Sequence, residues 1–138
     1  MLRRKTIESV VALLMLSVLA QPFYGQNAQR GGRWNLLGET TVNGSLDHDR
    51  VAVGRRDGRF RALQIQVDRA PIEFQRVVVH YANGQDESLE IRSRINPGSR
   101  TRAIDLQGGD RIITHVDFWY SKGNWSSRQM PRVRLYGR

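Results

Sequence analysis

Beyond residue 33 the chain alternates hydrophobic and polar positions in short runs broken by Gly, Asn, Asp and Pro. A period of two puts every second side chain on one face, which is the mark of a half-buried strand. No window holds the 3.6-residue spacing of an amphipathic helix. Strands are predicted over 34–42, 50–55, 60–67, 72–82, 86–95, 100–106, 112–120 and 132–136. Runs of this length, separated by turn signals about every ten residues, predict an all-β fold: one antiparallel β-sandwich, jelly-roll-like or Ig-like.

The turns carry the next level of detail. Asp57-Gly58, Asn83-Gly84, Asn96-Pro97-Gly98-Ser99 and Gly108-Gly109 supply residues that tolerate positive φ, and they predict four hairpins in succession. A four-residue loop at 96–99 sets Ile91 opposite Ile104 and Leu89 opposite Leu106, and a three-residue loop at 108–110 sets Leu106 opposite Ile112. An Ala82-Asn83-Gly84 loop sets Val77 opposite Leu89; a two-residue Asn-Gly turn would instead turn Val78 inward. The three-residue loop is preferred because Val77, Val79 and Tyr81 then form one stripe, with Val78 implying cover on the second face. The predicted core is Leu63, Ile65, Val67, Val77, Val79, Leu89, Ile91, Ile104, Leu106, Ile112, Val116, Phe118, Val133 and Leu135, with Trp34 joining it.

The amino terminus follows a different pattern. Arg3, Arg4 and Lys5 precede the apolar run Val10–Ala20, and a polar stretch follows from Gln21. That order predicts a secretory signal peptide over 1–20, cleaved after Ala20 or alternatively after Gly25, and it places the protein in the periplasm or outside the cell. The run is too short to span ~30 Å of hydrocarbon, so no membrane-spanning segment is expected after cleavage. Residues 21–33 are a polar lead-in, and 34–138 form the domain.

Composition narrows the function classes. With 138 residues the chain is too short for a barrel enzyme or a two-domain nucleotide binder, and with no cysteine it has no thiol nucleophile, disulfide, cysteine zinc site or lipoprotein anchor. Its formal charge is +9; residues 1–20 hold Arg3, Arg4, Lys5 and Glu8, so the mature chain carries +7. All basic residues but Lys5 and Lys122 are Arg, whose planar fork suits carboxylate and phosphate. The densest group, Arg55, Arg56, Arg59 and Arg61, crowds the 57–58 turn and forms the candidate anion-binding patch.

Candidate chemistry is sparse. A meander of strands would separate His80 and His115 by three inter-strand steps, about 14 Å, so they would not share an ion unless the order is not a meander; no metal and no cofactor is expected. Asp47-His48-Asp49 lacks the further oxygen ligands of a calcium loop and reads as turn-forming aspartates. Serine-nucleophile and phosphate-loop motifs are absent, so no catalytic residue is assigned. The 121–131 segment offers a ligand-binding group, Asn124, Trp125 and Arg128, with Trp119 beside it on the outer face.

The pieces WNLLGE at 34–39, DHDRVAVGRRDGRF at 47–60, VVVHYANG at 77–84 and RAIDLQGGDRII at 102–113 together resemble an uncharacterised family of small exported bacterial proteins, a domain of unknown function. The resemblance implies a β-sandwich behind a signal peptide and carries no catalytic residues. The expected function is a non-catalytic binding or interaction module for an anionic envelope polymer, glycan or protein; nucleic acid is not expected as a partner. The alternatives are an envelope hydrolase using Asp105, His115 and Asp117 on the sheet face, or a structural assembly subunit.

Overall fold

A computed structural model of the chain describes residues 32–42, 48–91, 94–121 and 129–138; the expected leader and most of the 121–131 segment lie outside them. The domain is an all-β sandwich of two antiparallel sheets, each of five strands. One sheet runs β1 (Asn35–Thr41), β10 (Arg132–Gly137), β3 (Ala62–Asp68), β7 (Ser99–Arg100), with β8 (Ile104–Asp105) also paired to β3. The other runs β2 (His48–Ala52), β9 (Ile113–Tyr120), β4 (Ile72–Tyr81), β5 (Asp86–Ser88), with β6 (Arg94–Ile95) also paired to β4.

Only one of the four expected hairpins forms within a sheet. β4 and β5 pair through a loop of residues 82–84, with His80 opposite Asp86 and the Leu89 amide bonded to the Val77 carbonyl, so Val77 faces Leu89 as the alternation required. The other turns are arches from one sheet to the other. A 3-10 turn at Arg55–Asp57 carries the chain from β2 to β3, residues 96–98 from β6 to β7, and Gly108-Gly109 from β8 to β9. Ile95 therefore faces Ile72, and Ile104 faces Leu63, in place of the expected hairpin at 96–99 and the Leu106–Ile112 register. A hairpin and an arch need the same left-handed turn residues, and Gly108 and Gly109 adopt φ of 84° and 77° here. Alternation reveals which face a residue takes, not which strand lies beside it.

Two bulges adjust that face. Between β4 and β9 the register slips at Phe74/Arg76 and again at His80/Tyr81. The extra residue at each slip reverses parity, so Phe74 joins Val77 inside and Ile113 replaces Ile112 in the core. The core otherwise holds the predicted set except Ile91 and Ile104, which are half-buried at its margin, and adds Val42, Val51, Val53, Phe60, Ile72, Tyr81, Ile95 and Tyr120. Trp34 is not core: it is half-buried, with the Arg138 guanidinium 4.8 Å from its ring centroid. Each fully buried Val, Leu, Ile or Phe contributes roughly 1.5–3 kcal/mol relative to exposure, and this burial stabilises a chain without disulfides.

Candidate functional site

The pairing of β2, β9, β4 and β5 places polar residues side by side on the outer face of their sheet. His48 lies opposite Trp119, Arg50 opposite Asp117, and Ala52 opposite His115. On the other flank of β9, Arg76 faces Trp119, Val78 faces Asp117, and His80 faces His115. Every histidine of the chain is on this face. The expected separation of about 14 Å between His80 and His115 is overturned because β9 pairs directly with β4; their rings stack with centroids 4.1 Å apart.

Asp117 is the centre of this surface and the single buried charged residue among the described ones, 3% exposed. Arg50 donates to both of its oxygens, Nε to Oδ1 at 2.7 Å and Nη2 to Oδ2 at 3.1 Å. The Nε2 atoms of His80, His48 and His115 lie 2.9, 3.1 and 3.7 Å from the same carboxylate. Burial pulls the Asp117 carboxyl upward, but the Arg50 and His48 contacts and the Arg50 charge outweigh it and hold the group at about 2. His115 is lowered, first by burial and then by the charges of His80 and Arg50, against the opposite pull of Asp117 and Asp86.

The imidazoles are oriented from outside. His80 Nδ1 sits 2.6 Å from Asp86 Oδ1, so only a doubly protonated ring donates to both Asp86 and Asp117 at once. His115 Nδ1 sits 3.0 Å from Thr114 Oγ1, whose hydroxyl donates to the His80 carbonyl. His48 stacks on Trp119 with centroids 4.5 Å apart, and the Arg76 guanidinium is 5.1 Å from that indole. Trp119 is thus a half-buried floor for His48 and Arg76 on the outer face.

A second polar feature forms where the 55–57 turn meets the β4–β5 loop. Arg55, Arg59 and Arg111, with Asn83 and Asp110, line a cleft of about 290 Å³. Asp110 is claimed by Arg61, with Nε to Oδ1 at 2.6 Å and Nη2 to Oδ2 at 3.2 Å, and that hydrogen bond holds its carboxyl below the usual range. Arg111 lies 3.7 Å from the Tyr81 ring centroid and donates to the Gln107 carbonyl and Gln85 Oε1. The side chains of Arg55, Arg56 and Arg59 have no hydrogen bond or ion pair among the described residues. A larger cleft, about 590 Å³, carries Arg94, Arg100 and Arg102, but Arg94 is bonded to Asn96 and Arg100 to Gln66.

Of the residues marked in the sequence, Arg55 and Arg59 are brought together, Arg56 is exposed beside them, and Arg61 is spent on Asp110. Asn124, Trp125 and Arg128 lie outside the described residues. Asp105 does not join Asp117 and His115, because β8 pairs with β3 in the other sheet. His48 and Asp49 are not in a turn: they open β2, where Asp49 faces inward and accepts from the Tyr120 hydroxyl at 2.5 Å. Reading missed Arg50, Asp86 and Arg111. Pairing His48-Asp-Arg-Val-Ala52 antiparallel to His115-Val-Asp-Phe-Trp119 would have found the first, since polar residues then meet on one face and apolar ones on the other.

The fold and these features define a small β-sandwich with a histidine–carboxylate cluster on one sheet and an arginine cleft at a turn. The chain belongs to the family described as Domain of unknown function (DUF2541), whose model matches residues 9–137. No curated protein and no solved structure matches it. Among the described residues no helix is long and apolar enough to cross a membrane.

Proposed function

We propose that the protein is an exported, non-catalytic binding module that takes an anionic polymer of the cell envelope at the arginine cleft. The observation that carries this reading is the pair of guanidinium groups, Arg55 and Arg59, that make no hydrogen bond or ion pair among the described residues, Arg59 reaching Asp110 through its charge alone, and that line one cleft with Arg111. Unpaired arginines held on a short 3-10 turn and the loop that follows it present their forks to a carboxylate, sulfate or phosphate with little protein–protein interaction to break. The larger cleft supports the reading less, because two of its three arginines already have partners. Export rests on the basic, apolar, polar order of residues 3–25.

The test is retention of the untagged domain on an immobilised sulfated polysaccharide, eluted with a salt gradient. The wild type is expected to be retained, and the double variant Arg55→Ala/Arg59→Ala to elute at clearly lower salt, with the charge-matched Arg94→Ala/Arg102→Ala as a control that moves little. Elution of the double variant with the wild type, or equal shifts for both variants, would remove the cleft from the function and leave only diffuse positive charge.

A further inference from the structure

We propose that the outer face of the β2–β9–β4–β5 sheet binds one divalent transition-metal ion, zinc above all, through Nε2 of His80, Nε2 of His115 and a carboxylate oxygen of Asp117. This site is separate from the arginine cleft and does not depend on its function. Three observations carry it.

The first is the donor geometry. One ligand atom from each of His80, His115 and Asp117 can be chosen so that all lie within 4.8 Å of one another. Tetrahedral zinc with bonds of about 2.05 Å sets its donors about 3.3 Å apart. The two nitrogen-to-Oδ2 distances, 2.9 and 3.7 Å, bracket that spacing, and the two rings, now stacked within 21° of parallel, splay apart about their side-chain torsions to aim both lone pairs at one ion.

The second is the support behind the donors. Metal-bound imidazoles characteristically give their second nitrogen to a carboxylate or another acceptor, which fixes the tautomer and aims the first nitrogen. Asp86 does this for His80 at 2.6 Å, and the Thr114 hydroxyl does it for His115 at 3.0 Å. In both rings Nδ1 is engaged outward and Nε2 faces the centre. A histidine pair merely decorating a sheet has no need for matched orientation.

The third is His48. Its Nε2 is buried and 3.1 Å from Asp117 Oδ1, and it makes no well-formed hydrogen bond among the described residues. The centre thus gathers nitrogen donors beyond those the carboxylate satisfies. Imidazole nitrogen with a single carboxylate favours zinc and its transition-metal neighbours over calcium or magnesium, which take oxygen. With neutral imidazoles, the carboxylates of Asp86 and Asp117 balance the guanidinium groups of Arg50 and, over Trp119, Arg76, so a dication is not opposed by net positive charge. Arg50 competes for the carboxylate, and the ion must also displace any proton that His80 Nε2 shares with Asp117. The Arg50 side chain is 54% exposed, so it can swing to solvent and release Oδ2.

The experiment is calorimetric titration of the chelator-stripped, untagged chain with zinc chloride alone, followed by cobalt(II) substitution read in the visible spectrum. One ion per chain is expected. His80→Gln and His115→Gln should each weaken binding at least about tenfold, and Asp86→Asn about tenfold with the cobalt spectrum retained, since it acts through His80. Arg50→Met should tighten binding. Histidine-detected NMR of the wild type supplies a measure that needs no variant: zinc must shift the Nε2 resonances of His80 and His115. Absence of saturable binding below about 1 mM zinc, or binding that leaves both resonances in place, overturns the proposal.

Discussion

Asp117→Asn isolates what the buried carboxylate contributes to the metal-free fold. Asn has the shape of the protonated acid and lacks its charge, so the variant reports the preference of the native site for the ionised form. That preference is the displacement of the carboxyl from 3.8 to about 2. At 1.36 kcal/mol per pH unit it amounts to about 2.4 kcal/mol. Arg50, the strongest stabilising partner, is half exposed, and solvent screening reduces the figure to about 1–2 kcal/mol. The sign follows from a depressed native value. The contribution is fully present above the unfolded pKa, and is lost as pH falls from about 4 through about 2, where the native carboxyl also takes its proton. Urea denaturation of wild type and variant in chelator, from neutral pH down to about pH 2.5, measures the gap between them, and the shared charge effects of a basic chain cancel in that difference. The gap is expected to be near its full size at pH 7, to fall to about half at pH 3, and to keep closing below it. A gap that is absent at pH 7, or one that stays constant down to pH 2.5, would refute the claim that Arg50 and the histidines hold Asp117 ionised.

Three further outcomes are expected. Burial, then the hydrogen bond to Glu87 and its charge, raise the Tyr81 phenol well above its ordinary 10.0 against the smaller pull of Arg111, so its stabilisation is present below pH 10 and lost as pH rises past it; Tyr81→Phe should remove one phenol from the late phase of an alkaline absorbance titration. A Cβ at Gly137 would lie 2.7 Å from Phe60 Cδ1 and 2.9 Å from Leu37 Cδ1, so Gly137→Ala should cost about 1–3 kcal/mol, lower the melting temperature by several degrees, and be partly rescued by Phe60→Leu. Breaking the exposed Arg61–Asp110 pair by Asp110→Asn should change stability little but free Arg61 beside the cleft, raising the salt needed to elute the domain from the sulfated polysaccharide.

How far the fold could be read from sequence follows from what each signal encodes. Period-two alternation depends only on local geometry and burial, so it located most of the core and the Val77–Leu89 register of the one true hairpin. It failed wherever a bulge reversed parity, as at Ile112 and Ile113, because one extra residue leaves no compositional mark. Pairing partners failed for a deeper reason. Asn96-Pro97-Gly98 permits a reversal of the chain whether the next strand returns to the same sheet or crosses to the other, and the choice is made by which apolar faces must cover each other.

The candidate sites divide along the same line. The arginine cleft is anchored by a sequence-local turn, so Arg55 and Arg59 were visible as a cluster, while Arg111, from 52 residues beyond Arg59, was not. The histidine cluster is wholly non-local: His48, His80 and His115 stand on three strands, and their meeting depends on β9 lying between β2 and β4. A meander with the same residues and the same faces would have scattered them. What brings the three imidazoles to Asp117 is therefore the arch at Gly108-Gly109, which sends β9 into the opposite sheet, and any change that turned that arch into a hairpin would dismantle the cluster while leaving every strand's alternation intact.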